Sequence, residues 1–180
     1  MALVTLAEAR AHLDIDTERH DTELGLYVEA LTSVIEGYVG AVEPRQVTQE
    51  VTAHRGALIL LTTPVLSVTL AEPYDGGPGL DTATLSVDAA GVVRRRDGAP
   101  VPAGAWTVAY TVGRADVPPT IRLAALMLLQ HLWRTQNGAA RGMGGADDFA
   151  VTEPIPGFGY AVPNRVLQLL EPFKLPPGVA

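Results

Sequence analysis

Asp14, Asp16, His20 and Asp21 come nearest to chemistry in type and spacing. Carboxylates and an imidazole in one short stretch are the donor set of a divalent-metal site. The stretch lacks the D-x-D-x-D-G order and closing glutamate of a calcium loop. Aspartates of this kind also cap helices and form turns. The reading taken is a solvated connector, and no metal ligand is assigned. Ser33, Ser67 and Ser86 are the serines, and none lies in a Gly-x-Ser-x-Gly elbow. Gly76-Gly77-Pro78-Gly79 and Gly142-Met143-Gly144-Gly145 lack the lysine and Ser/Thr of a phosphate-binding loop. Neither stands between a strand and a helix in a dinucleotide-binding unit, so both read as turns. In Arg94-Arg95-Arg96, alternation puts Arg94 and Arg96 on one side and Arg95 on the other. A salt-bridging hairpin is expected there rather than a phosphate patch. No catalytic residue and no cofactor site are assigned.

Helical and strand periodicities place these residues. Thr5 and Glu8 form a capping-box pattern that opens a first helix with Leu6, Ala9 and Leu13 on one stripe. Asp14 to His20 is a connector, and Asp21 is expected to N-cap a second helix. Leu24, Tyr27, Val28, Leu31, Ile35 and Tyr38 share its face, and Gly40 with Pro44 ends it. From Gln46 to Val112 the period falls to two. Val47, Gln49, Val51 and Ala53 share a face, as do Trp106, Val108, Tyr110 and Val112. Six short strands separated by turn residues predict a small antiparallel sheet.

Asp116-Val117-Pro118-Pro119 starts a third helix that stops at Asn137-Gly138. Its first turns are apolar nearly all round, unlike a helix with one solvated face. Residues 138–162 are rich in glycine and proline and read as a mobile loop. Phe149, Ile155, Phe158 and Tyr160 are expected to anchor it on a partner surface. A last short helix runs from Pro163 to about Leu170. The predicted class is α+β: a single domain, residues 1–180, built as a small bundle of about four helices. An antiparallel β lobe, residues 46–112, is inserted between the second and third helices.

Composition narrows the function. The 180 residues are 47% apolar, enough for a core, and carry 13 basic against 20 acidic side chains for a net charge of −7. That balance argues against sequence-specific nucleic-acid binding. No cysteine is present, so thiolate chemistry is excluded. Ile121 to Leu132, the longest mostly apolar run, is too short to span a bilayer. Residues 1–10 lack the basic-then-apolar order of a secretion signal. No membrane partner is expected.

The order of motifs resembles the head–tail connector (adaptor) proteins of tailed bacteriophages and prophages. The opening Leu3-Val4-Thr5-Leu6-Ala7-Glu8-Ala9-Arg10 is similar to theirs, as are Asp21-Thr22-Glu23-Leu24 and Ile35-Glu36-Gly37-Tyr38-Val39-Gly40. So are Pro64-Val65-Leu66-Ser67-Val68, Val108 to Gly113, Val117 to Ala124 and Val166 to Phe173. The resemblance implies a structural virion protein at the head–tail junction, assembled from the host cytoplasm. It implies a homo-oligomeric ring, commonly of twelve, between the portal protein and the next neck or tail-completion protein. Genomic DNA would pass through without sequence-specific binding.

Residue types agree with a ring subunit, which needs two different faces for head-to-tail contacts. Leu123, Leu126 and Met127 cannot share one face of the third helix with Ala124, Leu128 and Leu132. With Phe149, Ile155, Phe158 and Tyr160 they form the candidate interface. Two other classes compete. One is a small hydrolase with the glycine-rich loop as a lid, marked by a buried, pKa-shifted acid or histidine beside a pocket. The other is a different neck tier, a head-closure or tail-terminator protein.

Overall fold

The computed structural model describes residues 3–137, 151–154 and 161–175. The chain forms two compact units. One takes the residues up to Val39 together with Val117–Lys174; the other takes Gly40–Asp116 and Leu175.

The first unit is helical. The Thr5 hydroxyl accepts the Glu8 amide and the Glu8 carboxylate accepts the Thr5 amide at 2.8 Å, so α1 (Leu6–Leu13) opens on the expected capping box. Asp14 ends it in the left-handed region at φ 53°. A 3-10 turn at Glu18–His20 then runs directly into α2 (Asp21–Val39). Asp21 is therefore not an N-cap. Its own backbone is helical, its amide donates to the Glu18 carbonyl, and its carboxylate faces Arg10 at 3.6 Å. On α2, Leu24, Val28, Leu31, Val34, Ile35 and Val39 are buried. Tyr27 and Tyr38 lie at the margin of this stripe, where their hydroxyls donate to Glu23 and Glu171. α3 (Pro119–Asn137) packs on α1, α2 and α4 (Asn164–Leu170).

The second unit contains two three-stranded antiparallel sheets where the sequence predicted one. The first has the order β1 (Arg45–Thr52), β6 (Ala105–Val112), β3 (Val65–Pro73). The second has the order β2 (Leu58–Ile59), β5 (Val92–Arg95), β4 (Leu85–Val87). The split follows from length. The two- to four-residue strands pair only with one another, whereas β1, β3 and β6 match in length and pair along most of theirs. Inward residues of both sheets, among them Val51, Leu58, Ala71, Leu85, Val93, Trp106 and Val108, share one core. The class is the predicted one, α+β with antiparallel strands between α2 and α3.

Two close approaches require glycine. A Cβ on Gly113, at φ 113°, would lie 2.4 Å from the Glu43 carbonyl oxygen, and one on Gly91 would lie 2.6 Å from that of Leu60. Beyond α3, the backbone of β7 (Val151–Pro154) pairs antiparallel with β8 (Ala161–Pro163). Apart from Pro163, where the last helix was expected to start, this short pairing lies inside the stretch that the sequence left without regular structure. Its β-branched Val151 and Thr152 are too few to produce a visible alternation.

Candidate functional site

α3 is built from two faces with different fates. Pro118 and Pro119 supply its first turn, and the Pro118 carbonyl accepts the amides of Ile121 at 3.0 Å and Arg122 at 3.3 Å. Ile121, Ala124, Ala125, Leu128 and Leu129 are fully buried. The opposite face carries Leu123, 46% exposed, with Leu126 and Met127 half-buried beside it. The three candidate residues of α3 thus sit together on its outer side. Removing such side chains from water is worth about 1.5–3 kcal/mol each when complete. The subunit alone leaves that gain partly unrealised. Phe149, Ile155, Phe158 and Tyr160 lie outside the described residues.

Polar and aromatic contacts link α3 to α1, to α2 and to the turn before α2. Arg122 reaches Glu8 at 3.5 Å. Hydrogen bonds from the Thr5 amide and hydroxyl, and then the Arg122 charge, hold the Glu8 carboxyl below its ordinary pKa. Near the other end, Trp133 meets the ring edges of His20 at 5.2 Å and Tyr27 at 6.2 Å. His131 lies on the same helix, and burial alone pushes its imidazole pKa down. A second tie joins α2 to the turn after α4. The Tyr38 hydroxyl donates to Glu171, while the Lys174 ammonium lies 5.4 Å from the Tyr38 ring centre and 3.6 Å from Glu171. Sequence reading missed this tie, because residues 133 positions apart carry no local signal.

The acidic connector does not converge. His20 faces Glu23 at 3.7 Å and Asp21 faces Arg10. Among the described residues no three His, Cys, Asp or Glu side chains group to hold a metal. The arginine run is engaged within its own hairpin: Arg94 pairs with Asp88 at 3.1 Å, Arg95 pairs with Asp97, and Arg96 Nε donates to the Leu85 carbonyl at 2.9 Å. In the second unit a cleft of about 310 Å³ lies along β3 and β4, and Arg96 is the only ionisable side chain among its described lining residues. The lowered carboxylates of Asp88, Asp97 and Glu171 belong to turns and ion pairs. Asp88 and Asp97, which follow the lining residues Val87 and Arg96, are exposed turn carboxylates paired with Arg94 and Arg95, not the buried acid that the hydrolase reading requires.

The geometry defines a class, an α+β protein with an incompletely covered apolar face on α3 and, among the described residues, no group of side chains arranged to hold a metal. The family model described as "Head completion protein" matches residues 2–174, and the chain belongs to that family, whose members are structural and not enzymes. No curated protein matches it in sequence.

Solved structures share its fold. A chain in the "Neck of empty GTA particle computed with C6 symmetry" superposes with a TM-score of 0.67 at 22% identity, over 99% of this chain and 92% of that one. A chain in the "Neck of native GTA particle computed with C12 symmetry" gives 0.63 at 23% identity, over 97% and 90%. One in the "Virion of native gene transfer agent (GTA) particle" gives 0.64 at 22%, over 99% and 92%.

Proposed function

We propose that this chain is a ring-forming subunit of a virion neck, set between the portal protein and the next neck or tail-completion protein. The observation that carries the reading is the outer face of α3, where Leu123, Leu126 and Met127 stand together and incompletely covered. Support comes from the head completion family and from a fold shared with chains of necks described with sixfold and twelvefold symmetry. In a ring, the α3 face of one subunit meets a different surface of the next, since head-to-tail contacts are heterologous. Twelve copies are the expected number. Phe149, Ile155, Phe158 and Tyr160 supply further apolar contacts in this reading.

DNA passes through the ring without being read. A net charge of −7 disfavours the phosphate contacts that would grip a sliding duplex. Light scattering after size exclusion, then electron microscopy of the particles, tests the reading. Closed rings with a central channel support it. A protein that stays a single subunit at high concentration, and also beside purified portal, overturns it.

A further inference from the structure

The cleft in the second unit is lined by residues 65–68 of β3, by β4 and Thr82, and by Arg96. Among the described residues both strands that border it are sheet edges, β3 pairing only with β6 and β4 only with β5; further along β3 the Ala71 carbonyl accepts the Leu80 amide, and residues 65–68 line the cleft. An unpaired strand edge presents backbone amides and carbonyls that an extended chain can match. The β3 edge is broken by register shifts between Val65 and Ser67 and between Val68 and Leu70. Such bulges discourage indiscriminate strand pairing. A segment that binds here needs a side-chain contact as well.

Arg96 supplies one. Its Nε is committed to the Leu85 carbonyl at 2.9 Å, which fixes the guanidinium beside β4. Among the described residues its two Nη groups face no carboxylate, unlike those of Arg94 and Arg95. A planar fork of free N–H donors matches a carboxylate. Ser67 and Thr82 add hydroxyls to the lining, while Leu66, Val68 and Val87 add apolar walls.

We propose that this cleft receives an extended segment of a partner protein that carries a carboxylate, gripped by Arg96 and by the free edge of β3. Peptide fits better than nucleic acid. A duplex would call for several cations, and the neighbouring Arg94 and Arg95 are neutralised by Asp88 and Asp97. The proposal does not depend on a ring, because the cleft lies wholly within one unit.

The test uses the full chain and a fluorescent, end-blocked six-residue peptide of alternating valine and threonine with one central glutamate. Its glutamine counterpart is the control. Anisotropy should show the glutamate peptide binding about tenfold tighter, the worth of a charge-assisted contact. Hydrogen exchange should slow at residues 65–68 on binding. Arg96→Gln should remove the preference between the two peptides. Ser67→Glu, which keeps the Arg96–Leu85 contact, should weaken the glutamate peptide alone. Failure of the glutamate peptide to bind at millimolar concentration, or equal binding of both, overturns the proposal. So does an Arg96-dependent response to a short DNA duplex, which would assign the cleft to phosphate.

Discussion

The hydroxyl of Tyr110 donates to Oε1 of Gln49 at 2.7 Å, joining β6 to β1 across 61 residues of chain. The same oxygen accepts the Leu61 amide at 3.2 Å. One glutamine at an inward strand position thus satisfies two donors. Tyr110→Phe leaves the Leu61 contact in place and should cost about 0.5–1.5 kcal/mol. Gln49→Leu strands the hydroxyl of the buried Tyr110, while the exposed Leu61 amide can turn to water, and should cost about 1–3 kcal/mol. Urea unfolding of the two single variants and the double variant checks this, with the double close to Gln49→Leu alone.

Gly113 closes the β lobe. Its amide donates to the Pro64 carbonyl at 2.9 Å, and its positive φ sets it against the backbone at Glu43. The Cβ of Gly113→Ala meets the Glu43 carbonyl, with no flexible side chain to yield. A loss of at least about 1–3 kcal/mol is expected from strain alone. Gly76→Ala, also at positive φ but with open space around it, isolates the conformational part of the cost. Thermal melts of both variants should rank Gly113→Ala as the more damaged.

The legible parts of this fold are those written in local pattern. The capping box at Thr5 and Glu8, the α2 stripe and the alternation from Trp106 to Val112 each rest on neighbours within one turn or one strand. Asp21 misled because a capping residue type also serves inside a first turn, and only the preceding 3-10 turn decides which. The two-sheet arrangement depends on which short strands pair, a non-local choice that turn residues do not encode. Leu123, Leu126 and Met127 were readable as a second face because helical spacing fixes faces without tertiary knowledge. The Arg96 cleft was not, since it joins strands brought together only by folding.

Glu8 gives the helical unit a pH dependence of known sign. Its folded pKa is lowered by Thr5 and then Arg122, so its stabilising effect is present above the ordinary glutamate range and is lost as pH falls through the folded value. Glu8→Gln keeps a capping-box side chain but loses the charge. At pH 7 the variant should melt about 1–3 °C lower, given the modest worth of an exposed pair. The gap should begin to narrow below the ordinary glutamate range and close once pH falls through the lowered folded value. A gap that persists unchanged to pH 3 would mean that the carboxylate charge is not what Glu8 contributes.

In the proposed ring, substitutions on α3 should separate folding from assembly. Leu128 is fully buried, and Leu128→Asp takes a charge out of water, so this control should fail to fold. Leu123 is 46% exposed, and Leu123→Asp should change the melting free energy by no more than about 0.5–1 kcal/mol. In an assembly that covers this face, the same aspartate loses a contact worth about 1.5–3 kcal/mol and gains a desolvation cost. That penalty recurs at every contact around a closed ring, so assembly should collapse while each subunit keeps its fold. Leu126→Asp, half-buried, should both lower the melting point and block assembly. Light scattering and melting curves of the three variants give the readout. Rings that form unchanged from Leu123→Asp would place the subunit contact on another surface and leave this face to a different neighbour.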